Sequence, residues 1–155
     1  MAAIINKDDM GLYIPLAVNL DSQRIEMFAG EVEKVKCTEL LGRELYKDIK
    51  TNPETDENIE LIETLKPVLV YWTYVMYLEQ GKIFNTATGA VIKRTDASIP
   101  LSDMELKIVI DANCRTARFY ESELKFYLST NTGKFPLWSG RSQHTGRMGL
   151  TIRVQ

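Results

Sequence analysis

"LSDMELKIVIDANCRTARFYESELKFYL", residues 101–128, decides how this chain folds. Leu106, Val109, Ile110, Ala117, Tyr120, Leu124, Tyr127 and Leu128 recur at helical spacing along one stripe. Ser102 and Glu105 stand at the spacing of a capping box, and Leu101 and Leu106 occupy the hydrophobic-staple positions around them. The helix is expected to stop before "STNTG". A helix with a single apolar stripe needs partners to cover it, so the rest of the chain is read for them.

Upstream, "IELIETLKPVLVYWTYVMYLEQ" predicts a second long helix that starts near residues 55–57 and stops at Gly81. Pro67 lies inside it and predicts a kink near the preceding turn. The apolar run Val68 to Leu78 is only about half the roughly 20 residues needed to cross a bilayer, so it reads as the most buried helix of a core. Before it, "LDSQRIEMFAGEVEKVKCTELL" carries Ile25, Phe28, Ala29, Val32 and Val35 on one helical face. Asp21 is its predicted N-cap, with Leu20 and Ile25 as a staple. "TELLGRELYKDI" continues this pattern with Leu40, Leu41, Leu45, Tyr46 and Ile49, but Gly42 speaks against one straight helix. "KTNPETDEN" reads as a turn. Three helical units joined in this way predict a mainly α fold: a small helical bundle with a long β-hairpin-like loop insertion and an extended C-terminal tail.

The insertion is "GKIFNTATGAVIKRTDASIP", residues 81–100, long for a structureless connection inside a compact domain. Ile83 and Phe84 on one side, and Val91, Ile92, Lys93 and Arg94 on the other, are β-prone stretches flanking "TATG", with Gly89 at the expected turn. A flexible surface loop is the competing interpretation. The domain plan is then an N-terminal arm at 1–19, a helical domain at 20–129 with the insertion at 81–100, and a tail at 130–155.

"GKFPLWSGRSQHTGRMGLTIRVQ", residues 133–155, has basic side chains at Lys134, Arg141, Arg147 and Arg153 and no acidic ones. It cannot build a core alone and is expected to fold only on a partner; a terminus that stays disordered is the competing interpretation. Phe135 and Trp138 are its aromatic anchors. Leu150, Ile152 and Val154 alternate with polar residues, as in a strand that pairs with a sheet edge elsewhere.

With 155 residues and 45% hydrophobic content, the chain suits one domain plus appendages. The 21 acidic and 19 basic side chains give a net charge of -2, with no polyanion-binding character overall. The N-terminus lacks the pattern of a secretory signal, so the chain is expected to be made in the cytoplasm. Cys37 and Cys114 lack metal or redox spacing and read as reduced, small buried side chains. His144 is the only histidine and sits among glycines in the tail, so neither a His-based metal site nor a histidine base is expected. Nucleotide loops and a nucleophile elbow are missing, and the acids of "PETDENIELIE" suit a solvated helix start. No catalytic residue, cofactor or metal is therefore assigned, and an enzyme is not expected.

Taken in order, "LLGRELYKDI", "LIETLKPVLVYWTYVMYLEQG", "TATGAVIKRTDAS" and "LSDMELKIVIDANCRTARFYESELKFYL" resemble the small helical head-tail connector, or neck adaptor, proteins of tailed bacteriophages. The similarity runs over residues 40–128 and is closest to the version in Bacteroidetes and crAss-like phages. It implies a virion protein without catalytic residues. Its partners would be further copies in a ring of generally twelvefold symmetry, the portal protein above and the adjacent neck or tail rings. Contact with channel DNA would be non-specific, and no membrane is involved. The hairpin would face a neighbouring subunit and the tail would dock on the portal or another ring. A nucleic-acid-binding module using the basic tail, or another helical interaction module, is the alternative; the former would bind more weakly as salt is added.

Overall fold

The structure, a computed structural model, describes residues 3–16, 21–80, 83–86, 89–92, 102–138 and 140. It is mainly α-helical. A short helix α1 (Lys7–Gly11) precedes α2 (Ser22–Leu41), α3 (Arg43–Thr51) and α4 (Asp56–Gln80). Two short strands follow, β1 (Ile83–Thr86) and β2 (Gly89–Ile92), and the long helix α5 (Asp103–Thr130) comes last.

The centre of the molecule is α4. Val68, Leu69 and Val70 are consecutive and all buried, so the helix is covered on more than one side there. It packs against both α2 and α5. Trp72 bonds Glu121 and Glu60 bonds Tyr127, so positions rise along α4 as they fall along α5 and the two helices run antiparallel. Helix α4 continues unbroken through buried Pro67. Its start is capped by Thr55, whose hydroxyl accepts from the Asn58 N–H at 3.4 Å.

At the start of α2, the Asp21 carboxylate accepts from the N–H groups of Gln23 and Arg24. The buried face passes through Ile25, Phe28, Ala29 and Val32, then turns toward Cys37, Leu40 and Leu41. Val35, assigned above to this face, is instead 63% exposed. Ten residues beyond Ile25, it lies about 80° behind it around the helix, while the stripe drifts the other way. Gly42 separates α2 from α3 with φ +83°, a conformation open to glycine. Leu45 and Ile49 then turn back into the core.

The N-terminal residues are not a free arm. Asn6 and Asp9 form a reciprocal capping box around α1, and Ile5, Met10 and Ile14 are buried in the main core. The backbone of Ile4 donates to the Glu33 carboxylate of α2. Strand β1 pairs antiparallel with β2 in the register Ile83 to Ile92 and Thr86 to Gly89.

On α5 the Ser102 hydroxyl accepts from Glu105 N–H, and the Glu105 carboxylate accepts from Ser102 N–H at 2.9 Å, completing the box read from the sequence. Ala117, Leu124 and Leu128 are its buried residues, while Leu106, Val109 and Ile110 are only half-buried.

Beyond α5, the expectation of a tail separate from the domain over residues 130–155 needs correction for residues 134–138. Phe135 is 2% exposed and belongs to the core, its ring 5.8 Å from that of Tyr127. Trp138 is partly buried and donates its indole N–H to the Leu40 carbonyl at 3.1 Å. Lys134 pairs with Glu60 at 2.9 Å. Residues 134–138 thus form a clamp from the end of α5 back to α2 and α4, because two aromatic rings in sequence contribute enough apolar area to hold a short irregular segment down.

Candidate interaction surface

Three helices are locked together by one polar knot. Glu121 of α5 accepts from the Trp72 indole at 2.7 Å and pairs with Lys36 of α2 at 2.8 Å. The Lys36 ammonium also lies 4.1 Å from the centre of the Trp72 ring. Next to it, Tyr71 and Tyr120 stack at 5.6 Å. This seam fixes the rotation of α5 about its axis, and hence which side chains α5 turns outward.

The outward side chains are apolar. Met104, Ile108, Phe119 and Phe126 are exposed by 76, 59, 59 and 66%. At about 100° per residue they fall within an arc of about 60°, and at about 1.5 Å per residue they extend about 33 Å along the helix. Ala117, Leu124 and Leu128 lie on the opposite side, so α5 carries one apolar stripe against the core and another facing away from it. Four large apolar groups aligned on one exposed face differ from the scattered single residues of an ordinary surface. Sequence reasoning credited only the inner stripe. The signal for the second was present in the separations of four, eleven and seven residues between these positions.

The sequence-predicted contact residues are distributed differently. Lys134, Phe135 and Trp138 serve the intramolecular clamp. Arg141, Arg147, Leu150, Ile152, Arg153 and Val154 lie outside the described residues, as do Lys93 and Arg94. Ile83, Phe84, Gly89, Val91 and Ile92 lie in the paired strands.

Several titratable groups are engaged in structure. Glu33 is 3% exposed and accepts from Ile4 N–H, from the Tyr46 hydroxyl at 2.8 Å and from Lys50 at 2.8 Å. It borders a depression of about 310 Å³ also lined by Glu26, Gly30 and Lys34. Burial, followed by this hydrogen bond, raises the Tyr46 phenol far above its usual range. Burial likewise raises the thiols of Cys37 and Cys114, which keeps them protonated and poor as nucleophiles. Among the described residues, no cluster of three or more His, Cys, Asp or Glu side chains is arranged to hold a metal ion. No described helix is long and apolar enough to cross a membrane.

Tyr127 gives a pH expectation. Burial first, and then its 2.9 Å hydrogen bond to Glu60, push its phenol up to about 12. The folded value lies above the unfolded value of about 10, so its contribution is fully present below about pH 10 and is lost as pH rises through about 12. Denaturation midpoints should fall across that alkaline window, and Tyr127→Phe should flatten part of the fall.

A family model described as a family of unknown function, DUF6712, matches residues 37–147. The chain belongs to the DUF6712 family. The DUF6712 match begins in the last turns of α2 and takes in α3, α4, the paired strands, α5 and the clamp. Helix α1 and most of α2 lie before it, although Ile5, Met10, Ile25, Ala29 and Val32 are part of the same core. Neither the curated proteins nor the solved structures include a match to this chain.

Proposed function

We propose that this chain is a structural virion protein of a tailed phage: a head-tail connector subunit that forms a ring below the portal and extends the DNA channel toward the tail. The outward apolar stripe of α5 carries this proposal. A subunit that closes a ring head to tail needs two different faces outside its core, and an exposed apolar stripe suits one of them. The resemblance over residues 40–128 to connector proteins supplies the kind of assembly. Copies then join in a ring, generally of twelve, and meet the portal on one side and an adjacent neck or tail ring on the other. The β-hairpin-like insertion at 81–100 offers Ile83, Phe84, Val91, Ile92, Lys93 and Arg94 to a neighbouring subunit. The chain beyond Gly140 reaches a partner ring with Arg141, Arg147, Leu150, Ile152, Arg153 and Val154, and many weak arms act together. The work is mechanical, and the protein needs neither a catalytic group nor a cofactor for it.

The test is co-purification with the portal protein encoded nearby in the same genome. The full chain is compared with one ending at Gly140, which keeps the clamp intact. Retention of the full chain and loss of the shortened one is expected. Failure of the full chain to be retained at low salt overturns the portal-adjacent assignment. Salt-sensitive DNA binding in its place would favour the nucleic-acid module.

A further inference from the structure

Beside the clamp lies a second depression, of about 210 Å³, between α3, the start of α4 and residues 134–137. It is smaller than the roughly 300–1,000 Å³ of small-molecule sites, so it suits a single side chain. Leu45, Phe135 and Leu137 give it an apolar side, and Leu137 is 48% exposed. Its charged lining is Asp48, Glu57 and Lys134. Lys134 is held by Glu60, whereas Asp48 and Glu57 have no ion pair among the described residues.

Asn58 adds an unused acceptor. It is 3% exposed, and its amide nitrogen donates to the Asp48 carboxylate at 3.2 Å and to the Asn52 carbonyl at 2.8 Å. These two bonds fix the orientation of the amide and leave its oxygen without a donor among the described residues. Among those residues only the Thr73 hydroxyl is shut off from solvent without a partner, so the Asn58 oxygen is open, and Asn58 lines the depression. A nearly buried acceptor with one opening calls for a donor there.

The surroundings are acidic. Residues 51–65 hold five acidic side chains and no Lys or Arg. On α3, Asp48 lies about 60° from Leu45 around the helix, while Arg43, Lys47 and Lys50 lie about 140–160° from it. An arginine meets each demand: its stem packs on Phe135 and Leu137, and its planar fork donates to the Asn58 oxygen and to both carboxylates. A lysine would bring the charge as a single point.

The chain carries such a side chain close by. Residues 141–155 contain Arg141, Arg147 and Arg153 and no acid. Arg141 is four residues beyond Leu137, a span of at most about 14 Å. Gly140 before it has φ +59°, a left-handed conformation that lets the chain turn back. So short a tether keeps the guanidinium near the depression at about millimolar effective concentration.

We propose that this depression is a seat for an arginine guanidinium, and that Arg141 of the same chain fills it in the free protein. The arm beyond Gly140 is thereby held against its own domain. A partner that offers Arg141 stronger acidic groups draws the arm out, so the arm is withheld until that partner is present. The seat is a property of the free chain, and only the release rests on the connector reading.

The experiment follows the Asn58 side-chain amide and the Glu57 backbone amide by nuclear magnetic resonance in the full-length chain and in full-length Arg141→Gln and Arg147→Gln. Arg141→Gln should shift both signals, and Arg147→Gln should leave them in place. Adding N-acetyl-arginine amide to Arg141→Gln should return them toward their original positions, more effectively than N-acetyl-lysine amide. With Glu57→Gln added, the arginine probe should bind about threefold more weakly, the worth of one exposed ion pair. Dilution separates the sources: signals of the full-length chain that hold their positions show a seat filled from the same chain. Signals that move on dilution show a second copy filling it and overturn the proposal. Asn58 signals unchanged in Arg141→Gln, or unmoved by the arginine probe, also overturn it. Portal co-purification decides the connector function separately.

Discussion

Phe135→Ala is expected to destabilise the whole helical body by about 3–5 kcal/mol, although the residue lies in what reads as a tail. Its ring is buried in the core beside Tyr127, and the cut leaves a cavity that rigid helices on either side cannot collapse to fill. Among the described residues the clamp has two further side-chain ties, the Trp138 bond to Leu40 and the Lys134 pair with Glu60. Both depend on the backbone course that Phe135 sets. Urea denaturation followed by circular dichroism reads the effect, and a domain's total stability of about 5–15 kcal/mol makes the loss easy to see. A chain cut after residue 132 should show a similar loss, whereas one ending at Gly140 should melt like the full chain. Equal stability of the 132-residue and full-length chains would refute the structural role of the clamp.

Glu33→Ala is expected to cost about 3 kcal/mol, the lower end for breaking a buried ion pair, because Lys50 keeps some access to water. The substitution removes the acceptor shared by three donors, the Ile4 amide, the Tyr46 hydroxyl and the Lys50 ammonium. Glu33→Gln keeps the size and two acceptor contacts but not the charge, so it should cost less. The distinguishing readout is local. Without Glu33 the N-terminal segment loses its polar attachment to α2, and the Ile4 amide should exchange with solvent far faster than amides in α4. Unchanged exchange at Ile4 would show that Ile5, Met10 and Ile14 hold the segment by packing alone.

The helices were legible where apolar period and caps agree. Ser102, Glu105 and the stripe through Leu124 and Leu128 specify α5 from the sequence, and Asp21 and Gly42 bound α2. Two segments were misread for the same physical reason. Residues 3–16 and 134–138 show no regular helical or strand period, yet each places one to three large side chains into a core built by others. Local pattern does not report that kind of contact, because its reward comes from residues about 30 to 100 positions away in the chain. Val35 was misplaced because a strict repeat was extended past the point where the buried face drifts. The outer stripe of α5 was missed because the inner stripe already accounted for a helix.

Placing Phe135 in the core also sets an order in time. Synthesis runs from the N-terminus, and Phe135 follows every described helix. The bond between Trp138 and Leu40 joins positions 98 apart, so these two segments meet only after everything between them has been made. Until α5 has emerged, the buried side chains of α4 from Leu61 to Val75 have only α1, α2 and α3 to cover them. The nascent chain therefore passes through a stage with its most apolar helix half uncovered, and that exposure ends only once α5 and the clamp have been made.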